Sequence, residues 1–268
     1  MNRLNQTFAA AKRDGRKLLC PFVTAGYPSL ESTPQIIHAI AEALGPGGGV
    51  IELGIPFSDP IADGPVIQAS YTQALAKGCT VDKALATAKS ARGLGVSIPI
   101  VAMVSFSIIF KRGTAEFAKA CADAGIDGIV LPDIPLEEAP AIVDTIRDAG
   151  LRTILLVAPT SPADRRAAIA RLCDGFVYYL SVSGTTGERK ELPTDIGPNV
   201  EALRAITQVP VCVGFGISTA DQVRQVTAVA DGAIVGSALI RRISEKSTPA
   251  EAAKQAGAFV KELVAGVQ

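Results

Sequence analysis

Residues 51–65 read I-E-L-G-I-P-F-S-D-P-I-A-D-G-P, and the rest of the chain is best read outward from them. Three carboxylates, Glu52, Asp59 and Asp63, sit among glycines, prolines and apolar side chains. Residues 50–53 read as the end of a buried strand. An unpaired buried charge is costly, so an acid inside such a strand needs a reason. The Gly and Pro that follow Glu52 prevent a regular helix and predict a shaped loop over a pocket.

The same kind of short apolar run recurs along the chain. Residues 18–23, 50–53, 98–104, 128–131, 153–157, 175–180, 211–214 and 232–235 are strand candidates. They are continuous rather than alternating, as parallel strands covered on both faces should be. Helical patterns fall between them at 33–44, 80–92, 114–124, 137–148, 163–172, 199–206, 218–229 and 249–264. Ser32 is expected to cap the first of these, with Pro34 in its first turn, and several others begin at Ser, Thr or Asn. Residues 1–14, M-N-R-L-N-Q-T-F-A-A-A-K-R-D, read as an additional short amphipathic helix rather than a secretory leader.

Eight βα units in 268 residues predict a (β/α)8 TIM barrel with an extra N-terminal helix, taken as a single domain over 1–268. A doubly wound open sheet is the alternative. It usually has fewer units and often a G-x-G-x-x-G after its first strand, where this chain has F-V-T-A-G-Y-P.

Composition narrows the class. Lysine plus arginine equals aspartate plus glutamate at 26 each, which argues against a general nucleic-acid binder. No apolar run approaches the roughly 20 residues of a membrane span. The five cysteines are scattered, without a C-x-x-C pair, and read as reduced core residues in a cytosol-like compartment. The one histidine, His38, reads as a helix-face residue. Acid–base chemistry is therefore left to carboxylate, tyrosine, lysine or cysteine.

Two connections are long, 54–79 and 181–198, and both follow strand carboxyl ends, where barrel enzymes place their sites. The second is polar and rich in Gly and Thr, a candidate lid. After the last two strands come G-F-G-I-S at 214–218 and G-S-A at 236–238. Glycines there let backbone N–H groups approach an anion at a helix start, so Gly216, Gly236 and Ser237 are candidate phosphate ligands, with Gly184 a third donor loop. Glu52 and Asp63 can divide labour, a partly buried acid shuttling protons while a solvated one stays ionised. Asp59 reads as a loop-stabilising acceptor.

These motifs resemble the tryptophan synthase alpha subunit family over about residues 5–265. The residues that carry the resemblance are P-F-V-T-A-G-Y-P at 21–28, E-L-G-I-P-F-S-D-P-I-A-D-G-P at 52–65, L-P-D-I-P-L-E-E at 131–138, L-S-V-S-G-T-T-G at 180–187 and the two glycine loops. The 52–65 segment is specific to that family; the glycine loops are shared by many phosphate-binding barrels. The resemblance implies retro-aldol cleavage of indole-3-glycerol phosphate to indole and glyceraldehyde 3-phosphate, without metal or organic cofactor. It implies that Glu52 is the general acid/base at indole C3 and the side-chain hydroxyl. It likewise implies that Asp63 holds the indole N–H and offsets charge on the ring. Phe22 and Tyr178 match residues of the indole site, and Thr186 a lid threonine that bonds the Asp63 position. Gly184, Gly216, Gly236 and Ser237 match the phosphate cradle. A cytoplasmic alpha2beta2 complex with a beta subunit is implied, with no nucleic-acid or membrane partner.

The chain departs from the family pattern in three places. Ser105-Phe106-Ser107 stands where the family often has Tyr-x-Asn, L-G-P-G-G-G-V precedes strand two, and Val182 replaces an arginine of some members. Competing readings are a two-acid phosphosugar isomerase, a non-catalytic binding subunit, and a stand-alone lyase that releases free indole.

Overall fold

A computed structural model describes residues 2–61, 63–181, 193, 195–214, 216–244 and 248–267. Its centre is a closed barrel of eight parallel strands in chain order, so the open-sheet alternative is excluded. The strands are β1 (Leu18–Thr24), β2 (Ile51–Gly54), β3 (Ile100–Met103), β4 (Gly128–Leu131), β5 (Arg152–Val157), β6 (Val177–Leu180), β7 (Val211–Gly214) and β8 (Gly232–Val235). Closure is made by β1 on β8, with Leu18 opposite Gly232 and Pro21 opposite Val235. β1 to β4 and β8 are buried along their whole length, which explains why their sequences are continuous rather than alternating.

Gly232 shows the tightness of the wall: a Cβ there would lie 2.7 Å from the Cys212 sulfur. All five cysteines are buried and free. His38 lies on a helix face, 3.6 Å from Glu42, as its sequence context indicates.

Helix α1 (Arg3–Arg13) closes the amino-terminal end of the barrel. Asn2 caps it, accepting from Leu4 N–H, and its amide donates to the carbonyls of Asp127 and Gly150, which precede β4 and β5. Leu4 and Phe8 turn inward, and Phe8 meets Phe176 at 5.7 Å between ring centres. Beneath them Asp127 accepts from Arg3 at 2.9 Å, from Arg92 at 2.7 Å and from the N–H of Ile100. This end of the barrel is committed to stability.

Several boundaries differ from the sequence reading, each for a local reason. The 54–79 connection is not all loop: Gly64 caps helix α3 (Pro65–Ala76), whose first residue is a proline that needs no donor there. Ser32 is not the cap of α2 (Ser32–Leu44). It is already helical and its hydroxyl pairs with that of Ser29 at 2.6 Å, while Glu31 occupies the cap without a side-chain bond. After α4 (Val81–Gly93), capped by Thr80, and β3, an unanticipated helix α5 (Phe106–Arg112) precedes α6 (Thr114–Asp123). Ser105 caps α5 and Gly113, at φ 90°, ends it. The helices α7 (Ala139–Asp148), α8 (Ala163–Leu172), α9 (Ile196–Arg204) and α10 (Ala220–Val229) follow, then α11 (Ser237–Ser244) and α12 (Pro249–Val264). Helix α10 begins two residues later than expected because Thr219, not a serine, accepts from Gln222 N–H. No described helix is long and apolar enough to cross a membrane.

Candidate active site

Glu52 is the second residue of β2, opposite Phe22 on β1 and Val101 on β3. The strand aims it into the carboxyl-terminal half of the barrel, where it is only 2% exposed. Its Oε1 has no hydrogen-bond partner. Burial, and secondarily the charge of Asp63, push its carboxyl up from 4.5 to about 8.

Asp63 reaches the same space from the loop after β2. Its N–H donates to the Pro60 carbonyl at 3.0 Å, and its own carbonyl accepts from the Gln68 amide at 2.8 Å. The loop is thus tied to the first turn of α3, and the carboxyl is held over the mouth, 9% exposed. Burial first, and then Asp133, push Asp63 up from 3.8 to about 7.

One cavity gathers both acids and five other sequence candidates: Phe22, Tyr178, Gly216, Gly236 and Ser237. Phe22, Met103, Leu156 and Tyr178 line it with apolar surface near the acids. Gly216, Gly236 and Ser237, where α11 begins, line it as well. A Cβ at Gly236 would meet nothing nearer than 3.8 Å, so packing does not demand glycine there. The missing side chain leaves room for a ligand instead, beside a helix amino end that favours an anion. Gly184 and Thr186 lie outside the described residues. Asp59 is exposed, and the bond that stabilises its loop comes from its carbonyl, which accepts from Ile61 N–H, rather than from its carboxyl.

Sequence reasoning missed four contributors. Asp133, just past the end of β4, accepts from the Ser105 hydroxyl at 2.6 Å and the Phe106 N–H at 2.7 Å. The L-P-D-I-P motif that contains it was the available signal. Tyr71 of α3 is buried beside the acids, and burial and the charges of Asp63 and Glu52 hold its phenol proton on. Gly54 and Gly214 are spacing residues. A Cβ on Gly214 would lie 2.5 Å from the Tyr178 ring, and one on Gly54 would strike Phe22 and sit 2.6 Å from the Tyr71 oxygen. Among the described residues no three His, Cys, Asp or Glu side chains are grouped to hold a metal ion.

Near neutrality this arrangement offers a mostly protonated acid at Glu52, a carboxyl at Asp63 close to the midpoint of its titration, apolar lining and a glycine-lined space at a helix start. It defines an acid–base barrel enzyme for a substrate with an apolar part and an anionic end. The tryptophan synthase alpha chain family model matches residues 8–268. The chain is similar to the tryptophan synthase alpha chain of Synechococcus sp. (strain CC9902), 46% identical over 257 residues that cover 96% of this chain and 94% of that one. It is likewise similar to that of Burkholderia mallei (strain NCTC 10229), 43% identical over 267 residues, covering 100% and 97%. Among solved structures it superposes on Mycobacterium tuberculosis tryptophan synthase with a TM-score of 0.88 at 32% identity, covering 99% and 98% of the two chains. The Legionella pneumophila subunit alpha gives 0.86 at 34%, covering 100% and 98%. The chain therefore belongs to the tryptophan synthase alpha chain family. Its activity is that of a carbon–carbon lyase acting on indole-3-glycerol phosphate, in the alpha-subunit role of tryptophan biosynthesis.

Proposed function

We propose that Glu52 and Asp63 perform this cleavage between them. Protonated Glu52 delivers its proton to C3 of the indole, and the ring becomes cationic. Asp63, ionised and bonded to the indole N–H, offsets that charge. The Glu52 carboxylate then takes the proton of the hydroxyl on the adjacent side-chain carbon. The bond from that carbon to C3 breaks, its electron pair restores the aromatic ring, and the carbinol becomes the aldehyde of glyceraldehyde 3-phosphate. Glu52 ends protonated, so the net change is one proton moved from oxygen to carbon. Gly216, Gly236 and Ser237 hold the phosphate, with Gly184 contributing from its loop. Phe22 and Tyr178 flank the indole, and Thr186 bonds Asp63 when its loop closes. The observation that carries this reading is the convergence of two raised carboxyls and an open glycine cradle in one cavity.

We further propose that the chain pairs with a beta subunit in a cytoplasmic alpha2beta2 complex, and exposed rim residues favour a partner. Ile61 after β2 is 74% exposed and Phe110 of α5 is 76% exposed, with the Phe106 ring tilted against it at 6.1 Å between centres. Large apolar side chains this exposed, one on the loop after β2 and the other on the helix after β3, suit a docking surface for a partner that receives the indole. Ser105 does not reach outward: its hydroxyl is spent on Asp133.

Indole release from indole-3-glycerol phosphate, measured with and without the beta subunit, tests both readings. Glu52→Gln should lower turnover by roughly 10²–10⁴-fold with the fold intact. Near-normal turnover by that variant removes Glu52 from the chemistry. No complex and no rate change on titration would favour the stand-alone lyase.

A further inference from the structure

A second, smaller cavity adjoins the first at Asp63, Met103 and Pro132 and contains none of the cradle residues. Its polar wall is Asp63, Tyr71, Ser105, Asp133 and the exposed Asp59; Ile55, Phe57 and Val104 are among its apolar residues. About 20 Å³ is open to the centre of a water molecule, which is room for one where several polar groups converge.

Burial and the charge of Asp133 are unfavourable to the ionised form of Asp63. Glu52 faces it from β2 and Asp133 from the end of β4, with Asp59 in its own loop. Both oxygens of Asp133 are already engaged, accepting from the Ser105 hydroxyl and from Phe106 N–H. No lysine or arginine is among the described residues lining either cavity. The side-chain donors lining the two cavities are hydroxyls. That of Ser105 is committed to Asp133, Ser237 stands at the cradle end, and Tyr178 faces the substrate space. Tyr71 reaches over the end of β2 from α3, and only the missing side chain of Gly54 lets its oxygen lie there. The phenol stays protonated, so it is a donor at every working pH.

We propose that Tyr71 is a positioning residue for the reaction: its hydroxyl, seated in the space left by Gly54, donates to Asp63 through a water in the small cavity and keeps that acid ionised while Glu52 retains the proton. This rests on the reading of Asp63 given above. A donor to an ionised acceptor favours the charged form. The acid limb of the pH profile of kcat/KM should therefore report it.

The test is indole release by the whole chain over about pH 5.5 to 9.5. Tyr71→Phe keeps the ring and its packing. It should move the acid limb up by about one pH unit, which lowers kcat/KM roughly tenfold at pH 6 and much less near pH 8. Asp133→Asn removes a facing charge and should move the same limb down. An unmoved limb in Tyr71→Phe overturns the inference, as does an equal loss at every pH together with a lower melting temperature. Asp63→Asn separates the two layers. If that variant is inactive while the Tyr71→Phe limb stays in place, only the inference falls. If it turns over normally, the reading of Asp63 falls first.

Discussion

Replacing Glu52 by Gln should make the protein more stable in alkali as it destroys the activity. The native carboxyl titrates at about 8 against 4.5 for an ordinary glutamate, chiefly because the barrel wall excludes water from it. A carboxyl raised in this way binds its proton more tightly in the folded state. Its contribution to stability is fully present below pH 4.5 and is lost as the pH rises through about 8. Each pH unit in that window is worth about 1.4 kcal/mol, so the whole interval would be on the order of 5 kcal/mol. An effective interior dielectric well above that of dry protein reduces this to about 2–4 kcal/mol. The amide has no proton to lose and similar volume, so its stability lacks this slope. Equilibrium urea unfolding at about pH 5, 7 and 9 measures the difference. The two proteins should agree within about 1 kcal/mol at the lowest pH and separate in favour of Gln at the highest. Asp63 titrates in both proteins and cancels to first order. Parallel stability curves would refute the argument that Glu52 is folded into an environment hostile to its charge.

Three further outcomes follow from the site. Asp63→Asn should lower kcat by roughly 10²–10³-fold, because the amide can still accept the indole N–H but carries no charge to offset the ring cation; steady-state indole release checks it, and normal turnover would end the electrostatic role. Ser237→Asp should raise KM roughly tenfold or more by setting a like charge beside the phosphate, with a smaller change in kcat; a ligand-bound structure with phosphate elsewhere on the rim would contradict the assignment. Phe110→Asp should weaken association with the beta subunit while leaving the isolated chain's melting temperature within about 2 °C; light scattering and calorimetric titration would show whether affinity falls.

Much of the barrel was legible because its determinants are short-range. Strands such as β4, β7 and β8 fall where continuous apolar runs stand between turn residues, since a strand covered on both faces has no polar side to show. Thr80 caps a helix at the start that its position in the sequence indicated. The failures lie where one signal has two meanings. Glycine and proline at 64 and 65 read as loop, yet Gly64 and Pro65 also start α3. Ser105 reads as a lost tyrosine, yet it caps α5 and bonds Asp133, so α5 was invisible without that partner.

Sequence alone picked out Glu52 as anomalous, because an acid in an apolar strand is costly wherever the strand goes. It also picked out the glycine loops, because backbone approach to an anion demands small residues in the same local run. What it could not contain is the set of meetings made by closing the barrel. Asp133 faces Asp63 from roughly seventy residues away in the chain, a proximity that loop lengths do not encode. Tyr71 matters only because β2 ends in a glycine beneath it, and Gly236 only because the space beside it stays open once Phe22 and Ile67 have packed. The raised carboxyls belong to the same level. An amino-acid type has an ordinary proton affinity, and only burial in the closed barrel, with a second carboxyl brought close to each, moves Glu52 to about 8 and Asp63 to about 7.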